Sequence, residues 1–480
     1  MTNFPDDFWS EQDETQGEGW NNQEFEQLVH SLREYLETVE EKSFVSDIDT
    51  LEDNIQTAID LEENEIGLKL VEIFVSQAPY NAEAWQKKGI LLNNLKRCEE
   101  AVESYKKAYS LNPLDYETLN NLGIAYENLN NFTESIEAFH HALTLASGDE
   151  EVLLNLALSY QKSGNFEKAI YFLKEILESD PENIEALYEL AFCHDSLENF
   201  NEAIKIYDML LDIDPYNHHA WYNLGITYSR NNQWQKAIEC YDFAIAINDS
   251  FASAYFNKGN AYSYLGKLEN AIESYKTTIQ LEPEDYTAWY NLGCCYEEQE
   301  EYLRAIKSFD KAIGINSDHY ESYLSRGFCY DSLGKYHLAV KDFNKAIEVT
   351  SENIEAWYAK GDLEYSLGQL HQSIESYNKV LDKDPENTDV LYDLASTYYE
   401  IGDLGLALKY FDQCIMLEPQ WADPFFGRAK IFFILSKTYE AFESLKMSFI
   451  LDPNKQKVFE SEFPEIINSK LYKSIISKLR

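Results

Sequence analysis

One pattern returns every 34 residues along most of this chain, and it limits the possible folds more than any other feature. Trp85, Leu119, Leu153, Leu187, Trp221, Tyr255, Trp289, Tyr323, Trp357, Leu391 and Phe425 mark the same place in eleven successive repeats. Four residues after each comes glycine or alanine, as at Gly89, Gly123, Ala157, Gly225 and Ala395. A second small position follows, at Ala101, Ala237, Ser373 and Ala441 among others, and a proline closes many repeats, as at Pro113, Pro215 and Pro419. No residue is inserted or lost between Ala82 and Lys455. A length of 480 residues alone suggests about three domains, but an unbroken phase points to one tandem array.

Each repeat reads as two helices. In the repeat that starts at Ala82, Trp85, Lys88, Gly89 and Leu92 fall at i, i+3, i+4 and i+7, one helical face. Ala101, Tyr105 and Ala108 give the second helix the same logic. Glycine often stands between the two, at Gly164, Gly266, Gly334, Gly368 and Gly402, where a left-handed cap is needed. Proline ends the second helix, because its ring blocks continuation. The small residues let the paired helices approach closely.

The order W-x2-L-G-x2-Y, then A-x3-F, then P resembles the tetratricopeptide repeat family. Trp221-Tyr-Asn-Leu-Gly225-Ile-Thr-Tyr228 and Trp289-Tyr-Asn-Leu-Gly293-Cys-Cys-Tyr296 match at every marked position. The departures keep the period: Lys88, Lys258, Arg326 and Lys360 stand for leucine, His194 and Glu364 for the aromatic, and Ser147, Asp249, Ser317 and Ser351 for the proline. The resemblance implies an all-α, right-handed superhelical α-solenoid whose first helices line the concave side.

The expected organisation has five parts. Residues 1–21 are an acidic, disordered segment with isolated aromatics. Residues 22–47 hold a capping helix through Phe25, Val29, Leu32, Leu36 and Val39. Residues 48–81 form a degenerate first repeat, with Gly67 and Pro79 in phase. Residues 82–455 hold the eleven tandem repeats. Residues 456–480 are expected to be a capping helix along Phe459, Phe463, Ile467, Leu471 and Ile475, since the open ends of a repeat stack need covering.

Charge narrows the partners. Asp and Glu number 85 against 39 Lys and Arg, a formal net charge of −46, which repels nucleic acid and anionic membranes. The first 64 residues carry −17 and the last 27 carry +3, so the rest is spread over the repeats. The chain has no apolar run long enough to span a bilayer and no basic-apolar leader at its start. Seven cysteines without a CxxC pair read as core residues of a reduced, cytoplasmic protein.

The sequence shows no catalytic motif: GxxxxGK[ST], HExxH and GxSxG are all missing. The repeats leave no block for a catalytic domain, so neither enzymatic activity nor a cofactor is expected. The adjacent pairs His140-His141 and His218-His219 are expected to point to different sides and not to chelate a metal.

With the first residue of each repeat as position 1, a second stripe runs along each first helix at positions 2, 5, 6, 9, 12 and 13. Position 5 is aromatic at Tyr188, Tyr222, Phe256, Tyr290, Tyr358 and Tyr392. These rings either pack against the neighbouring first helix or form a groove wall for apolar side chains of a partner. Position 6 is asparagine at Asn121, Asn155, Asn223, Asn257 and Asn291, and an amide both donates and accepts along an extended backbone. The row is similar to the ladder in the repeats of O-GlcNAc transferase, which holds peptide backbone. Position 2 is acidic in most repeats, which either complements the helix dipole or attracts basic segments. Carboxylate-clamp binding is not expected, because position 5 has no lysine and Lys87 is isolated at position 6.

The resulting expectation is a non-catalytic scaffold that binds another protein, through an extended or helical segment of neutral or basic character. The alternatives are a chaperone-like or assembly factor for a basic client, and an architectural subunit whose groove is filled by residues 1–21 or by a second copy.

Overall fold

The computed structural model describes residues 22–42, 47–351 and 353–479. The segment expected to be disordered, 1–21, lies outside them. Among the described residues there are 27 helices and no strand. First helices begin at Ala82, Tyr116, Glu150 and every 34th residue to Ala422, and second helices sixteen residues later, from Cys98 to Thr438. Ile48–Asp60 and Asn64–Gln77 keep the same phase ahead of them. The chain divides after Leu265 into two compact bodies. Within each body the first helices pack on the second helix of the repeat before and, Ala252–Tyr264 at the division apart, on that of their own repeat, which makes an all-α solenoid of helix-turn-helix repeats.

Local rules set the helix ends. The residue before the first helix is often Asn or Asp, and its side chain accepts an orphan N–H: Ala84 N donates to Asn81 Oδ1 at 3.0 Å, Ala220 N to Asn217 Oδ1 at 2.9 Å and Ala356 N to Asn353 Oδ1 at 2.9 Å. The tryptophan then clamps the preceding turn. Its indole Nε1 donates to the carbonyl six residues back, Trp85 to Pro79 and Trp221 to Pro215 at 3.0 Å, and Trp289 to Pro283 at 3.1 Å.

Position 15, between the helices, is left-handed in all eleven repeats. Glycine fills it at Gly164, Gly266, Gly334, Gly368 and Gly402, but Lys96, Asn130, Glu198, Asn232, Glu300 and Ser436 also sit there at φ of 57–60°. A side chain costs about 1–2 kcal/mol in that conformation. Lys96→Gly, Glu198→Gly and Glu300→Gly should therefore each raise stability by about 0.5–1 kcal/mol in urea unfolding.

The small residue at position 8 sits under a ring from the second helix. A Cβ on Gly293 would lie 2.5 Å from Phe309, and one on Gly225 2.5 Å from Tyr241. Tyr105, Tyr207, Tyr241, Phe309, Phe343 and Tyr377 are all fully buried in this way.

The basic residues that stand for leucine at position 7 follow a pairing rule. Each meets an acid sixteen residues earlier, at position 25 of the preceding repeat: Lys88 with Glu72 at 3.5 Å, Lys258 with Asp242 at 2.5 Å, Arg326 with Asp310 at 2.6 Å and Arg428 with Asp412 at 2.7 Å. Arg326 also grips Asp342, Nε and Nη2 each 2.7 Å from a carboxylate oxygen. At Lys360 the partner position holds Asn344, and the ammonium lies 3.8 Å from Glu364 instead.

The ends differ from expectation in detail. Asn22–Lys42 buries Val29, Leu32, Leu36 and Val39 against Leu51, Ile55, Leu70 and Val71, but Phe25 stays exposed. The single C-terminal helix is instead two, Asn454–Glu462 and Lys470–Leu479. Pro464 has no N–H to continue the first, and the break resets the helical phase. Tyr472 is consequently buried at 2% exposure while Leu471 is exposed at 50%. Phe459 packs with Phe433, Phe449 and Tyr472 over the last repeat.

Candidate partner-binding faces

The expected stripe lies on the first helices of both bodies, and much of it is cross-linked to itself. In the N-terminal body, position 5 of one repeat meets position 6 of the next. Asn223 Nδ2 donates to the Tyr188 hydroxyl, and Asn257 Nδ2 to the Tyr222 hydroxyl at 2.8 Å. Asn155 Nδ2 donates to Asn120 Oδ1 at 3.1 Å, and Asn120 Nδ2 to Glu151 Oε1 at 2.8 Å. The amide row and the aromatic row thus pair with each other as rungs between neighbouring first helices. Tyr188, Tyr222 and Asn223 are buried by this. Asn121, Asn155, Phe256 and Asn257 remain half-buried, and Asn121 bonds no other described side chain.

A second set of rungs joins position 12 to position 13 of the next repeat. Asn128 Nδ2 donates to Asn93 Oδ1 at 3.0 Å, Lys162 Nζ to Glu127 Oε1 at 2.6 Å, and Arg230 bonds the Asp195 carboxylate and its main-chain carbonyl. Asp195 is 3% exposed, and burial raises its carboxyl although Arg230 opposes the shift.

In the C-terminal body Tyr290, Asn291, Tyr358 and Tyr392 are half-buried. Tyr358 donates to Asp393 Oδ2 at 2.8 Å, the same rung with a carboxylate in place of the amide. Tyr392 has no such rung because Gly427 occupies position 6 of the next repeat, and its ring rests on Phe411 and Trp421. Sequence reading did not connect the acids among these rings: Glu297, Asp331, Asp362 and Asp393. The available signal was their recurrence at positions 12, 12, 9 and 6 of four consecutive repeats.

Desolvation pushes the Glu297 carboxyl up to about 7. Its charged form is therefore disfavoured in the fold, a deficit that opens as pH rises through the ordinary carboxylate range and is complete above about 7. Glu297→Gln should stabilise the C-terminal body by about 1–2 kcal/mol at pH 8, after allowance for solvent screening, and leave it unchanged near pH 4. Urea unfolding at the two pH values checks this.

The histidine pair departs from expectation. His218 and His219 do not diverge; their rings lie 4.0 Å apart and both edge onto Phe251. Among the described residues no group of three His, Cys, Asp or Glu side chains is arranged to hold a metal ion. The seven cysteines are free thiols, six of them buried.

The paired helices, the 34-residue phase and the packed glycine-ring contacts define a helical-repeat protein. Six tetratricopeptide repeat models match it, at residues 82–113, 115–182, 160–215, 219–251, 256–320, 320–353, 361–402 and 388–420. The chain belongs to the tetratricopeptide repeat family. Among solved structures, a crystal structure of MamA is similar at 30% identity, with a TM-score of 0.33, over 34% of this chain and 95% of that one. YrrB, described as a TPR protein with an unusual peptide-binding site, is similar at 26% identity, with a TM-score of 0.34, over 38% of this chain and 94% of that one. No curated protein matches the chain. No helix among the described residues is long and apolar enough to cross a membrane.

Proposed function

We propose that this chain is a non-catalytic scaffold that takes up a segment of another protein, neutral or basic, on the first-helix faces of its repeats. The observation that carries the reading is the residual exposure of the stripe. After the core and the rungs are built, Asn121, Asn155, Phe256 and Asn257 in one body and Tyr290, Asn291, Tyr358 and Tyr392 in the other stay half-exposed in register. Amides beside aromatic rings suit a main chain and its apolar side chains together. The free thiols and reduced core agree with a cytoplasmic setting.

Affinity capture from lysate tests the proposal, comparing wild type with Asn121→Ala/Asn155→Ala/Asn257→Ala/Asn291→Ala. Thermal melts ensure that both are folded. The expected result is loss of the partners bound by wild type; an unchanged partner profile overturns the groove assignment.

A further inference from the structure

The two bodies treat the acids of their first helices differently. In the N-terminal body the acids at position 12 have cations supplied by the next repeat, Lys162 for Glu127 and Arg230 for Asp195. In the C-terminal body the residue that follows Glu297 across the same rung is Ser332, and the one that follows Asp331 is Ser366. Among the described residues neither acid has a cationic partner.

Asp331, Asp362 and Asp393 stand 31 residues apart, at positions 12, 9 and 6 of consecutive repeats. Three positions are close to one helical turn, so the carboxylates step down one turn per helix and cross the face on a diagonal. Two of them take bonds from tyrosines: Tyr377 donates to Asp362 Oδ1 at 2.7 Å and Tyr358 to Asp393 Oδ2 at 2.8 Å. The field between them is repulsive. Desolvation and then Asp331 raise the Asp362 carboxyl, and desolvation with Asp362 and Asp389 holds Asp393 up at about 6 despite the Tyr358 hydroxyl. Half-buried Tyr358, Tyr365 and Tyr392 lie on the same helices.

Resting on the scaffold reading above, we propose that the first-helix face of Tyr320–Ile401 docks an extended lysine- or arginine-rich protein segment. Charge complementarity selects this occupant. The segment brings to the diagonal the cations that the N-terminal body builds in for itself. Its aliphatic stems and charged heads also suit tyrosine faces, which attract cations. A polyanion is repelled.

The test uses the full chain and a fluorescently labelled peptide of alternating lysine and serine, with a glutamate-serine peptide as control, read by anisotropy. The lysine peptide should bind and the glutamate peptide should not, and binding should weaken steeply with added salt. Asp331→Asn/Asp362→Asn/Asp393→Asn should lower affinity by about tenfold or more. Removing as many charges from the N-terminal body, by Glu83→Gln/Glu117→Gln/Glu185→Gln, should lower it by less than about threefold. Asparagine still accepts from Tyr358 and Tyr377, and a melt verifies the fold. Asp331 has no tyrosine bond, so Asp331→Lys gives an independent reversal that should also weaken binding. Equal losses in the two triple variants, or no loss in the C-terminal variants, overturn the proposal. If lysate capture still depends on the asparagines in that event, the scaffold reading stands and only the basic occupant is wrong.

Discussion

Replacing Arg326 by leucine should cost the C-terminal body about 3–5 kcal/mol, although leucine is the family's own choice at that position. The reason lies in what the guanidinium leaves behind. Its fork holds the Asp342 carboxylate, which is 4% exposed, through two 2.7 Å bonds, and it reaches Asp310 of the preceding repeat at 2.6 Å. Those carboxylates hold its proton more tightly than usual, despite the cost of desolvation. Without the cation, Asp342 is a buried charge with no counter-charge, and it must either stay unpaired or take up a proton. Other repeats with leucine at position 7 place an uncharged residue where Asp342 stands, such as Cys240 or Ser308. Arg326→Leu/Asp342→Ser should therefore recover most of the loss, while Asp342→Ser alone should be milder than Arg326→Leu. Urea unfolding followed by tyrosine fluorescence measures all three. Equal destabilisation by the single and double variants would show that Arg326 acts through its packed stem and not its charge.

Phe309→Ala should destabilise by a similar amount, about 3–5 kcal/mol, through a cavity. Phe309 is 0% exposed, and its ring is the floor on which Gly293 rests. Removing it opens the seam between the helices Tyr286–Glu298 and Tyr302–Ile315. Gly293→Ala disturbs the same seam from the other side. A Cβ 2.5 Å from the ring is closer than side chains pack, so the ring must move aside, and Ala191 with Tyr207 shows that a repeat can be built that way. That change should cost only about 1–3 kcal/mol. Because repeats couple chiefly to their neighbours, both losses should be largest in the hydrogen exchange of adjoining repeats.

Much of the fold was legible because its determinants recur. Trp221, Gly225, Ala237 and Pro215 each sit at a fixed phase, so one repeat teaches the next. The pairing at position 7 was also written in the sequence, as an acid sixteen residues before Lys88, Lys258, Arg326 and Arg428. It was read as a departure because a single leucine-to-lysine change carries no partner until both helices are placed. The left-handed non-glycines were hidden in another way. Lys96 or Glu300 carries no mark of its backbone conformation, and only its phase with Gly164 betrays it. The site was less legible still. That Tyr188 and Tyr222 would engage Asn223 and Asn257 depends on the lateral register of neighbouring first helices, which periodicity leaves open. The end of the chain misled through Pro464, whose break puts Tyr472 and not Leu471 on the buried face.

Hydrogen exchange of the full chain, free and bound to its captured partner, tests the central claim most directly. The partner should slow exchange in first helices such as Tyr116–Asn128, Ala252–Tyr264 and Ile354–Ser366. Second helices such as Phe132–Leu145 and Tyr336–Val349 should be left as they were. Protection confined to the second helices would contradict the account.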